Sequence, residues 1–69
     1  MSRIEELDLH GVKHEDVDRL VENFVLLKSF PLRIITGNSN QMRDLVTEVL
    51  DRHNLSYEQF VPSHILILK

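Results

Sequence analysis

Asp8 and His10 stand two residues apart in the run Leu7-Asp8-Leu9-His10-Gly11, and a second run, Ile34-Ile35-Thr36-Gly37-Asn38-Ser39, ends on a glycine followed by small polar residues. If the first run is a strand, its side chains alternate faces, so Asp8 and His10 project to one side and Leu7 and Leu9 to the other. An imidazole there suits proton transfer near neutral pH, with the carboxylate orienting the ring or favouring its protonated form. In the second run a strand gives way to a helix at Gly37. Free backbone N–H groups and the helix dipole favour an anion at such a point. The amides of Gly37, Asn38 and Ser39, with the hydroxyls of Thr36 and Ser39, would cradle a phosphate, and Arg43 about one turn later would add charge. Plainer readings stand beside these: polar residues opposite Leu7 and Leu9 suit any half-exposed strand, Gly37 suits a turn needing positive φ, and Arg43 suits a solvated helix face.

The elements that position these residues follow from hydrophobic periodicity. Strands are predicted over 5–10, 32–36, 57–61 and 65–68, and helices near 14–29 and 40–53. In the first helix Val17, Leu20, Val21, Phe24 and Leu27 form an apolar stripe; early acids suit its N-terminus, Lys28 its C-terminus, and Pro31 stops it. In the second, Met42, Leu45, Val46, Val49 and Leu50 form the stripe, any of Asn38, Ser39 and Asn40 serves as N-cap, and Asn54 tolerates left-handed geometry at the far end. The last two strands are close enough to pair as a hairpin through Pro62-Ser63. The order βαβαββ, with right-handed crossovers, makes an α/β two-layer sandwich in which both helices cover one face of a four-stranded mixed sheet.

Composition narrows the function classes. The chain has 69 residues and is expected to form one domain over 1–69 with a thin core, since a fold of this size buries only about 60% of the surface its unfolded chain exposes. Without cysteine it has no disulfide, thiolate nucleophile or Cys-type zinc site. His14 is placed in the turn leading into the first helix and His53 at a helix end, and with no thiol to assist them neither implies a structural metal. His64 would approach His10 if their strand ends lie on the same side. No metal or cofactor is expected. The first residues carry no apolar run of signal-peptide type and no segment is apolar enough to span a bilayer, so a soluble, cytoplasmic protein without a membrane partner is expected. The net charge is -3. Most of the acids (Glu5, Glu6, Asp8, Glu15, Asp16, Asp18 and Glu22) lie in the first thirty residues, so an anionic partner must avoid the outer face of the first helix.

Leu7-Asp8-Leu9-His10-Gly11, an amphipathic helix, and Ile35-Thr36-Gly37 opening a second helix together resemble the Smr (small MutS-related) domain over nearly the whole chain. The resemblance implies a βαβαββ sandwich similar to the C-terminal domain of bacterial translation initiation factor three, and a family that includes nucleases acting on DNA or RNA. It makes Asp8 and His10 the catalytic candidates. Gly11, Thr36, Gly37, Asn38, Ser39 and Arg43 become the candidate nucleic-acid contacts. The family's second motif, usually Thr-Gly-x-Gly, reads Thr36-Gly37-Asn38-Ser39 here, with Ser39 in place of the second glycine.

Two functions are weighed. The leading one is an Smr-like nucleic-acid-binding domain, an endonuclease acting on structured DNA or RNA if it turns over. The alternative is a noncatalytic protein-interaction module, a homodimer or part of a larger complex. It rests on the run Ile65-Leu66-Ile67-Leu68, apolar on both faces, where two helices cover only one.

Overall fold

Alternating burial along the two central strands sets the architecture. Leu32 and Ile34 of one central strand and Ile65 and Ile67 of the other are fully buried, while Arg33, Ile35, His64 and Leu66 between them are half-buried. The structure, a computed structural model, describes residues 4–61 and 63–68, with the backbone alone at 60 and 61. Its elements are β1 (Glu5–Asp8), α1 (His14–Leu27), β2 (Leu32–Ile35), α2 (Asn40–Arg52), β3 (Tyr57–Val61) and β4 (His64–Ile67). They form a four-stranded sheet of order β1-β2-β4-β3, with β1 parallel to β2 and β4 antiparallel to both neighbours. A parallel pair needs a crossover, and α1 supplies it.

Val17, Val21, Phe24 and Val25 of α1 and Met42, Val46, Val49 and Leu50 of α2 join the inward residues of β2 and β4 in one buried cluster with Leu9. Both helices therefore pack on the same sheet face, as the periodicity predicts. The helices are shorter than predicted, ending at Leu27 and Arg52. Beyond Leu27 the side chains of Lys28, Ser29 and Phe30 are exposed, so no apolar stripe remains to hold the helix down. Ser39 is the N-cap of α2, its hydroxyl accepting the Met42 amide hydrogen at 3.1 Å, and Asn54 adopts φ +57 past the helix end. Strand β4 begins one residue earlier than predicted, at His64, and β2 ends one earlier, at Ile35. Pro62 of the expected hairpin turn lies outside the described residues.

Polar contacts tie the two helices to each other and α2 to β3. Arg52 donates to both Asp18 carboxylate oxygens, at 2.8 and 3.4 Å, bridging α2 to α1. His53 and Glu22 approach to 3.1 Å beside it, and Tyr57 donates to Asp51 at 3.0 Å. The Arg52 hydrogen bond holds the Asp18 carboxyl below the ordinary carboxylate range. A group that ionises more readily folded than unfolded adds stability above its unfolded pKa, about 3.9 for Asp, and loses it as pH falls through the lower folded value. The wild-type chain should therefore melt above Asp18→Asn at neutral pH and low salt, and thermal scans should show that advantage vanishing in acid; a pH-independent difference would contradict it.

The sheet face away from the helices mixes charged side chains with apolar ones. In register across it lie Glu6, Arg33, Leu66 and Glu58, and next to them Asp8, Ile35 and His64. Glu6 and Arg33 form a 2.7 Å ion pair. Because Ile65 and Ile67 point inward, Leu66 alone of the three presents its side chain to this face, among charged neighbours.

Candidate functional site

The run Leu7-Asp8-Leu9-His10-Gly11 does not remain a strand to His10. Pairing ends at Asp8, the Leu9 amide donates to Ile35 O at 2.9 Å, and the chain then turns: Val12 N–H donates to Leu9 O at 3.0 Å and Gly11 takes φ +78. Positive φ at Gly11 permits that turn. Leu9 is fully buried and His10 exposed. The sheet therefore does not present Asp8 and His10 as a pair on one strand face. Asp8 lies on the outer face in register with Ile35, and its Oδ1 accepts the backbone N–H of His10 at 2.9 Å. The carboxylate holds the turn that carries the imidazole.

The β2–α2 connection meets this turn. Gly37 has φ +71, and a Cβ built on it would lie 4.0 Å from His10 Nδ1. Thr36, 4% exposed, receives its place from three bonds to backbone carbonyls: its N–H donates to Ser63 O at 2.8 Å, and its hydroxyl lies 3.2 Å from Ser63 O and 3.1 Å from Gly37 O. A single hydroxyl proton shared between these carbonyls is committed to the loop. Thr36 therefore positions the glycine turn, its hydroxyl proton already engaged by the loop. Ser39, by contrast, accepts from Met42 and keeps its own proton to donate.

A cavity of about 270 Å³ opens where the two connections converge. Its polar wall is His10, His14, Thr36, Asn38 and Ser39 with the backbone of Gly11 and Gly37, and Leu9, Val12 and Met42 line it with apolar surface. It lies at the N-terminal ends of both helices, where unpaired amides and the helix dipole give positive potential. Asp8 and Arg43 are not among the described residues lining it. Arg43 occupies the first turn of α2, its N–H donating to Ser39 O at 3.1 Å. His64 stands on the outer sheet face opposite Ile35 and is not among the described residues lining the cavity. Among the described residues no three His, Cys, Asp or Glu side chains group to hold a metal ion.

His14, which the sequence places in the turn entering the first helix and which is weighed there only as a metal ligand, is also a lining residue. The signal was present: it follows His10 by four residues, and the turn at Gly11 folds that separation back on itself.

Gly37→Ala should be strained by about 1–2 kcal/mol, because a Cβ disfavours left-handed φ, although the added methyl would meet His10 at ordinary contact distance. Denaturant unfolding should register that loss. Equal stability would mean the turn relaxes to negative φ.

No family model and no curated protein matches this sequence. Among solved structures, the chain is similar to the SMR domain of NEDD4-binding protein 2, determined in solution, with a TM-score of 0.64 and 21% sequence identity over 99% of this chain and 88% of that one. The architecture is that of an Smr-like domain, an α/β sandwich whose two strand-turn-helix connections meet at one end of the sheet. The resemblance drawn from the Leu-Asp-Leu-His-Gly run thus agrees with the fold.

Proposed function

We propose that this chain is a nucleic-acid-binding domain with endonuclease chemistry on structured DNA or RNA. The observation that carries the reading is the convergence of the His10 ring and the Gly37 turn on one cavity at the N-terminal ends of two helices. A phosphodiester seated there would meet the amides of Gly37, Asn38 and Ser39 and the Ser39 hydroxyl, with His10 exchanging a proton with the attacking or leaving oxygen. Asp8 acts through the His10 backbone as a positioning residue, as Thr36 acts through the loop. Gly11 permits the turn, and Arg43 adds positive charge on the first turn of α2 toward the flanking strand. The Smr-like fold supports the reading, since the resemblance of the motif implies a family that includes nucleases. The test is binding and cleavage of a panel of DNA and RNA hairpins, junctions and single strands, with His10→Ala as control. No binding to any member overturns the proposal.

A second reading, a noncatalytic interaction module pairing with a second copy or another protein through the outer sheet face, draws on Ile35 and Leu66, half-buried there, and on Leu68 beyond them, 44% exposed. Leu66→Lys should then weaken self-association in sedimentation while leaving the circular dichroism unchanged. A monomer at high concentration in the wild type removes this reading for the homodimer.

A further inference from the structure

His14 is the first residue of α1, exposed, and on the same cavity wall as His10. Its helix makes no evident use of it. The N-cap Lys13 forms no side-chain cap bond, and Glu15 and Asp16 already complement the dipole in the first turn. Among the described residues neither the His14 ring nor the His10 ring has a hydrogen-bond partner, whereas the His53 ring is taken by Glu22. Two imidazoles with uncommitted ring nitrogens therefore share one small concavity, lined otherwise by backbone amides, hydroxyl and amide groups and apolar side chains.

We infer that His14 is a second anion-binding imidazole of this cavity, contacting with His10 the same phosphate group; the inference rests on the phosphate-site reading above. A neutral imidazole offers one N–H donor and a protonated one offers two with a full charge, so an anion held between two rings favours protonation of both. By linkage, whatever the anion gains from the protons, the protons gain from the anion. Nearest to the lining residues along the chain, the charged groups are Asp8 on β1, Lys13, Glu15 and Asp16 at the start of α1, and Arg43 and Asp44 on α2, with His64 on β4. The acids among them oppose a second anion but do not line the cavity. His14 thereby makes affinity for a phosphate diester rise as pH falls through the imidazole range, between about pH 8 and 5.

The experiment follows the four histidine ring resonances of the full chain by NMR across that range, with and without inorganic phosphate and then a short DNA or RNA hairpin. Phosphate should move the titration midpoints of both His10 and His14 upward and leave His53 and His64 in place. His14→Gln, which keeps a polar side chain but cannot take a proton, should weaken hairpin binding roughly tenfold to a hundredfold in acid, the size of one charge-assisted contact, and little at the alkaline end. Thermal unfolding of the variant confirms that the fold is retained. If His10 responds and His14 does not, the inference falls and the nucleic-acid reading stands. If both respond to phosphate while no nucleic acid binds, the anion site stands and the nucleic-acid reading falls. Hairpin binding that moves neither ring overturns the inference and places the interface elsewhere.

Discussion

His10→Ala is expected to lower cleavage of a bound DNA or RNA substrate by about a hundredfold to ten-thousandfold, the range a general acid or base contributes, while leaving the unfolding midpoint near that of the wild type. The two halves of this expectation have separate causes. The His10 side chain is exposed and holds no partner among the described residues, and substitutions of exposed, unpartnered side chains usually change stability by no more than about 0.5 kcal/mol. Its backbone N–H, which Asp8 accepts at 2.9 Å, survives in the alanine variant. The turn therefore keeps its anchor while the proton-transfer group is gone. Asp8→Ala should act differently: it releases the turn and lowers turnover by misplacing the ring. Unchanged cleavage by a folded His10→Ala protein would exclude the imidazole from the chemistry.

The largest stability loss is expected one residue earlier. Leu9 is fully buried in the cluster formed by both helices and the sheet, and its amide holds the end of β1 to Ile35 O. Truncating such a leucine costs about 2–5 kcal/mol, combining lost transfer energy with a residual cavity. Small domains have about 5–15 kcal/mol in total, and a thin core sits toward the low end. Leu9→Ala should therefore lower the thermal midpoint by many degrees and leave a measurable unfolded fraction at elevated temperature. Because Leu9 also lines the cavity beneath His10, nucleic-acid affinity should fall even where the variant is folded. Leu9→Met, close in volume, should restore most of both. A loss under about 1 kcal/mol would mean that the site collapses around the smaller side chain.

In the motif, Leu9 is part of the core, Asp8 and Gly11 set the path of the backbone, and His10 is the exposed side chain to which the proposed function assigns the chemistry. Read from the sequence, Asp8 and His10 formed one acid–imidazole pair. The structure joins them through the backbone instead, the Asp8 carboxylate accepting the His10 N–H, because Gly11 at φ +78 and the Val12 to Leu9 hydrogen bond turn the chain immediately after Leu9.

The order of elements and the single helix-covered face were determined by the sequence alone. Helical and strand periods differ, and the stripes Val17, Val21, Phe24 and Met42, Val46, Val49 can be buried only by placing both helices against the alternating residues of β2 and β4. Positive φ at Gly37 and left-handed geometry at Asn54 were legible for the same local reason, since few residues accept them. What only the tertiary structure decided was long-range. Ser39 rather than Asn38 or Asn40 caps α2, a choice among equivalent local chemistries made by the path of the loop. The Thr36 hydroxyl is committed to the Ser63 and Gly37 carbonyls because β4 begins beside β2. His14 reaches the cavity, and His64 is carried to the outer face, through strand register and the turn at Gly11. Register is a sum of packing contacts between residues distant in the chain, and a shift of one residue would exchange the faces of every side chain in a strand.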